Sequence, residues 1–148
     1  MSKIQQIREF ISGCPFMDKF TNGAHVDWTR ENIGDYGLIP TVESVIETHR
    51  DVLENKVIYK RYDVSLCAMH FTVNDIIRIE SNGFLEEFIQ WIEQQSNTGS
   101  APTFGDNPAD EYMTAANGML YQLSSDGTTG RYEIKIQCFY EKNYNKEG

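Results

Sequence analysis

A chain of 148 residues with 40% hydrophobic side chains can bury one sizeable core, which makes two domains unnecessary, and 8 Phe, 8 Tyr and 2 Trp exclude a disordered chain. Asp plus Glu number 22 against 13 Lys plus Arg, a net charge of -9, and this opposes duplex binding, which needs a clustered positive surface. An acidic surface can still line a passage that DNA traverses without sticking.

The opening Met1-Ser2-Lys3-Ile4-Gln5-Gln6 lacks the apolar core of a signal peptide, and no stretch approaches the roughly 20 apolar residues of a membrane span, so synthesis in the cytoplasm and no membrane partner are expected. Ile4, Ile7, Ile11 and Cys14 draw one apolar stripe along a helix from Ser2 to Ser12, which Gly13 and Pro15 end. Phe16 to Pro40 mixes Gly23, Gly34, Gly37, Asp27 and Asn32 with Val26 and Trp28, and reads as loop with one short strand around His25 to Thr29. From Val42 to Phe71 β-branched and aromatic residues predict a long hairpin that reverses near Leu53-Glu54-Asn55-Lys56. In its second arm Tyr62, Val64, Leu66 and Ala68 share one parity, while Arg61, Asp63 and Ser65 hold the other until Cys67, Met69 and Phe71 follow. The inner end is therefore a central strand covered on both faces, and the half-polar outer end is expected to project beyond the core.

Asn74 and Asp75 suit a helix start, and apolar residues at helical spacing run from Ile76 to Ile92, so a helix reaches about Gln95. Ser81-Asn82-Gly83 in its middle leaves one rod and two bent segments equally open, with Phe84 to Gln94 as the main helix on the sheet. Asn97 to Asp110, rich in Gly, Ser, Pro and Asn, is a surface loop. Two strands follow, Ala115 to Leu123 and Arg131 to Tyr140, around a turn at Ser124 to Gly130. In the second, Tyr132, Ile134, Ile136, Cys138 and Tyr140 alternate with polar residues, so one face is core and the other wet. Lys142 to Gly148 reads as a fraying tail. The order helix, strand pair, helix, strand pair, without internal repeat, predicts an α+β domain over 1–148: an antiparallel or mixed sheet of four to five strands with an N-terminal and a central helix packed on it.

Chemistry is sparse. His25, His49 and His70 are isolated, and Cys14, Cys67 and Cys138 are odd in number, far apart and set in apolar patterns. Neither a metal site nor a disulfide framework is expected, and the thiols read as reduced core residues. No Gly-x-x-x-x-Gly-Lys or Gly-x-Gly-x-x-Gly cradle for phosphate occurs, Ser124 and Ser125 lack the Gly-x-Ser-x-Gly setting, and Glu86 and Glu87 read as a solvated helix face. No enzyme activity and no cofactor are expected. Tyr59, Lys60, Arg61 and Tyr62 suggest nucleic-acid contact, but they alternate across two strand faces, so at most two can cooperate, and a protein contact explains them equally.

The segment Ile79-Glu80-Ser81-Asn82-Gly83-Phe84-Leu85-Glu86-Glu87-Phe88-Ile89-Gln90-Trp91-Ile92-Glu93-Gln94-Gln95 resembles the second helical region of a family of small phage proteins often labelled minor capsid proteins. The opening Lys3-Ile4-Gln5-Gln6-Ile7-Arg8-Glu9-Phe10-Ile11 with Cys14-Pro15, and the closing Arg131-Tyr132-Glu133-Ile134-Lys135-Ile136-Gln137-Cys138, look like the same family's ends. Members resemble tail terminators of long-tailed, siphovirus-type bacteriophages. The resemblance implies a structural virion protein at the head-tail junction, assembled in the host cytoplasm. Its α+β subunits would form a ring, hexameric in this reading, at the head-proximal end of the tail tube. Its partners would be itself, the tail tube protein and the head-tail connector, with DNA passing through the ring. The alternative within the resemblance is a head-tail joining adaptor or a minor capsid protein. A chloramphenicol-resistance label carried by some relatives finds no support, because none of the three His stands in a His-His-x-x-x-Asp-Gly setting.

Ring closure needs a side patch that binds a different patch on the next copy. Candidates for the oligomer or tube interface are Leu53, Tyr59 and Arg61 on the outer hairpin, and Phe104 and Asp106 in the Asn97 to Asp110 loop.

Overall fold

The Ser2 side chain accepts a hydrogen bond from the Gln5 amide at 3.2 Å and so caps α1 (Lys3–Ser12). The far end is closed by the Gly13 amide, which donates to the Phe10 carbonyl at 3.1 Å, and by the Cys14 amide, which donates to the Ile11 carbonyl at 2.9 Å. This is a computed structural model, and it describes residues 2–15, 24–26, 36–71, 75–123 and 129–144. The apolar stripe expected on α1 is buried at Ile7, Ile11 and Cys14.

Among the described residues five strands follow the pattern of β-branched and aromatic residues: β1 (Ala24–Val26), β2 (Tyr36–Arg50), β3 (Lys56–Phe71), β4 (Tyr112–Leu123) and β5 (Thr129–Tyr144). They form one sheet in the order β1-β2-β3-β5-β4. Only β1 and β2 run parallel; the other pairs are antiparallel. Between β3 and β4 lies α2 (Asp75–Asn97), so the fold is α+β with an N-terminal and a central helix, as the sequence pattern predicts.

Register places the core on one face. Leu38 stands opposite Leu66, Leu66 opposite Ile134, Val64 opposite Ile136, and Ile136 opposite Ala115; all are buried. Against this face α2 sets Phe84, Leu85, Phe88 and Ile92, and α1 sets Ile7 and Ile11. The two helices meet through Phe10 and Trp91, stacked with ring centroids 4.7 Å apart. Each fully buried aliphatic or aromatic side chain of this cluster stabilises the fold by about 1.5–3 kcal/mol. Met113 is tied to the helix layer by its amide, which donates to Ser96 Oγ at 2.9 Å. In β3, Val64, Ser65, Leu66 and Cys67 are buried in succession, as a strand covered on both faces requires.

Three boundaries depart from expectation. Tyr36 to Pro40 is strand rather than loop: Gly37 pairs with Cys67 and Leu38 enters the core, while Pro40 stands beside a register shift, where its missing N–H does least harm. β4 begins at Tyr112, three positions before Ala115, because Tyr112 pairs with Phe139. Lys142 to Tyr144 do not fray but continue β5, opposite Ile58, Val57 and Lys56. Of the two arrangements left open for α2, the single rod is the one formed, continuous through Ser81-Asn82-Gly83, and a Cβ on Gly83 would meet nothing within 4 Å. Asn74, the loop positions 27–35, the turn 124–128 and the tail beyond Tyr144 lie outside the described residues, as do the side chains of His25, Met69, His70 and Phe71.

Candidate functional site in the distal sheet

Beyond the helix layer the sheet continues as three strands, with the tip of the β2–β3 hairpin at its end. Asp51 builds that tip. Its Oδ1 accepts from the Leu53 amide at 2.8 Å and the Asn55 amide at 3.0 Å, its Oδ2 accepts from Asn55 Nδ2 at 3.0 Å, and its own N–H donates to the Asn55 carbonyl at 3.0 Å. Glu54 takes the left-handed backbone conformation, φ 63°, that completes the reversal. Desolvation alone would raise the Asp51 pKa, but the hydrogen bonds from Asn55 and Leu53 together outweigh it, so the carboxyl lies below its ordinary value. The turn is thus internally satisfied, and it leaves Val52 99% and Leu53 71% exposed.

Behind the tip the side chains divide by parity. Tyr59 and Arg61 lie on the face away from the helices, and Lys60 and Tyr62 on the helix side, opposite Tyr140 and Cys138. Arg61 Nε pairs with Asp63 Oδ1 at 2.9 Å, two positions along the same face, so this cation is already engaged. Tyr59 is met edge-on by His49, 5.7 Å between centroids, and His49 Nε2 lies 2.9 Å from Glu47 Oε1. The Glu141 carboxylate, hydrogen-bonded to the Tyr59 hydroxyl, raises the phenol's pKa. On the same face Tyr112 stacks on Phe139 at 4.5 Å with the rings 15° from parallel, although Tyr112 is itself 50% exposed.

The segment after α2, expected as a surface loop, is organised by a single side chain. Glu111 Oε1 accepts from the Phe104 and Gly105 amides at 2.9 and 2.8 Å, and its Oε2 from the Asn107 amide at 3.0 Å, so one carboxylate gathers the loop. The gathered loop lies along the edge of β5 where β4 has not yet begun. The Asp106 amide donates to the Glu141 carbonyl at 2.8 Å, and Asp106 Oδ2 accepts from the Asn143 amide at 2.8 Å. Phe104 packs against the core and meets Tyr140 edge-on at 6.2 Å. Of the five expected contact residues, Leu53 and Tyr59 are therefore presented outward. Arg61 is held in an ion pair, and Phe104 and Asp106 close the β5 edge inside the subunit.

On the helix side Tyr140 hydrogen-bonds Glu43, and Lys3 Nζ lies 3.4 Å from Glu43 Oε1 and 5.3 Å from the Tyr140 ring centre. The Tyr140 hydrogen bond, the largest effect, lowers the Glu43 pKa against desolvation, which comes second, and the Lys3 and Lys60 charges add to the lowering. Burial first, then Glu43, push the Tyr140 phenol upward. This cluster fastens the start of α1 to the distal sheet.

β1 covers β2 only from Tyr36 to Leu38; from Ile39 to Arg50 that edge has no strand partner among the described residues. Register shifts at Pro40/Val42 and Val45/Glu47 kink it, yet Val42, Val45 and Ile46 are each about half exposed along it. Burial pushes the Cys138 thiol up to about 12, and Cys14 and Cys67 are free and buried as well. Among the described residues no three His, Cys, Asp or Glu side chains gather as metal ligands would, and no helix is long and apolar enough to cross a membrane. Sequence reasoning missed Glu111, Tyr112 and Phe139, whose roles depend on β5 and the preceding loop lying side by side. No family model matches the chain, and no curated protein is significantly similar to it.

Proposed function

We propose that the chain is a structural subunit that closes into a homo-oligomeric ring, and that the ring is the tail terminator of a long-tailed bacteriophage, seated between tail tube and head connector. The observation that supports ring formation is the pairing of an internally satisfied turn with a bare apolar tip. Asp51 takes up the turn's own hydrogen bonds, so Val52 and Leu53 are free to enter a neighbour. The β2 edge from Ile39 to Arg50, apolar at Val42, Val45 and Ile46, is a second, different patch on the same subunit. Two unlike patches on one chain are what a heterologous contact uses, and such contacts close into rings when the rotation allows. The terminator assignment rests on the resemblance of the α1, α2 and β5 segments to the phage family.

In this reading the protein works by geometry and carries out no reaction. The ring occupies the last layer of the tube, halts its growth and offers its other side to the connector. The test is light scattering of the purified chain, alone and mixed with the tube protein encoded beside it, with electron microscopy of the tubes. A ring at one tube end together with shorter tubes is expected. Unchanged tube length with no end binding defeats the terminator reading, and binding to the head connector instead assigns the chain to the joining layer.

A further inference from the structure

A recess of about 290 Å³ opens in the distal sheet behind the hairpin tip, bordering the β2 edge patch at Ile46 and Glu47. Its volume falls at the lower limit of small-molecule pockets, roughly 300–1,000 Å³, so it suits one side chain rather than a cofactor. Tyr59, Tyr112 and Phe139, which share the face away from the helices, supply its aromatic walls. Two of these rings, Tyr112 and Phe139, are already stacked, and the outer one is half exposed, so a flat ring face is on offer without rearrangement.

The lining is predominantly acidic. Glu47, Asp110, Glu111 and Glu141 contribute four carboxylates against the single ammonium of Lys60. Each carboxylate is fixed by a local partner: Glu47 by His49, Asp110 by Asn107 Nδ2 at 2.9 Å, Glu111 by three backbone amides, and Glu141 by the Tyr59 hydroxyl. The amide, phenol and carboxamide donors are neutral, so they hold the carboxylates in place without cancelling their charge. Lys60 reaches toward the Tyr140 ring, 5.9 Å from its centre, which leaves the Tyr112–Phe139 wall to an incoming cation.

We propose that this recess is a docking site for an arginine side chain of a partner protein. A guanidinium is flat enough to lie on the Tyr112 ring and carries N–H donors at its rim for the Glu47 and Glu141 carboxylates. A lysine ammonium is a point charge that cannot stack. The acidic lining opposes an anionic partner such as DNA at this spot. The inference does not require a ring: it concerns what kind of surface the partner must present, whichever assembly the chain enters.

The experiment uses the full chain with its tyrosine and phenylalanine rings labelled for NMR and titrates acetyl-Gly-Arg-Gly-amide. The same peptide with citrulline, lysine or norleucine in place of arginine serves as comparison. Saturable shifts of the Tyr59, Tyr112 and Phe139 rings are expected with arginine, weaker by about threefold or more with citrulline, since a surface cation–aromatic contact and an exposed ion pair are each modest. Tyr112→Ala, at a half-exposed ring, should abolish the saturable response while the remaining spectrum stays folded, and Glu47→Gln should weaken it. Equal response to citrulline or norleucine, tighter binding of the lysine peptide, or shifts unaffected by Tyr112→Ala each overturn the assignment.

Discussion

At Gly105 a Cβ would lie 2.8 Å from the Glu141 amide nitrogen, 2.6 Å from Glu111 Oε2 and closer still to the Glu141 carbonyl oxygen, so any side chain there would lift the loop off β5. Gly105→Ala is expected to destabilise the fold by about 1–3 kcal/mol, as forced overpacking does, read as a lower urea midpoint at unchanged slope. Gly83 is the opposite case. It sits inside α2 with open space around the missing Cβ, so Gly83→Ala should stabilise by about 1 kcal/mol through helix propensity alone, and a lower midpoint would mean that the helix needs its glycine. Glu43 has a lowered folded pKa, so the stability it adds is present above its ordinary value of 4.5 and is lost as pH falls through the folded value. Glu43→Gln should therefore be less stable than the parent at pH 7 by no more than about 1 kcal/mol, with the gap closing toward pH 3 in parallel urea titrations.

Whole elements were legible where side-chain period and burial agree. The alternation from Tyr132 to Tyr140 is buried residue by residue in β5, and the Ile7, Ile11, Cys14 stripe faces the core as its spacing requires. Expectation failed where tertiary pairing overrode local signals. Gly37 and Pro40 are loop punctuation in isolation, but opposite Cys67 and Val64 they extend a strand. Lys142 to Tyr144 are polar, yet the backbone ladder with β3 is indifferent to side-chain polarity. The candidate site was legible only in part. A projecting, apolar hairpin tip follows from the run around Leu53. That Asp106 and Phe104 serve the β5 edge could not be read, because the partner groups belong to residues 140–143. At this scale the hairpin makes its own prediction: Val52→Ser with Leu53→Asn should leave the urea midpoint within about 0.5 kcal/mol of the parent, since both side chains are solvated. The same pair should reduce the assembled mass in light scattering, and an undiminished mass removes the tip from the ring contact.

For the molecule as a whole, a net charge of -9 makes every copy repel the next, while the patches offered for assembly are apolar. Raising salt from about 0.05 to about 0.5 M shortens the screening length severalfold, so self-association should strengthen with salt. A mass that falls instead would mean that ion pairs hold the copies together. The strand order carries a consequence for time rather than for strength. β3, the middle strand, pairs on one side with its hairpin partner β2 and on the other with β5, so that Leu66 finds Ile134 only after the intervening helix and strand have been laid down. The hairpin can form locally, but the sheet cannot close until the late strand arrives. Such non-local closure slows refolding to milliseconds or longer, and the interval before β5 docks is when the central strand is most open to capture by the wrong chain.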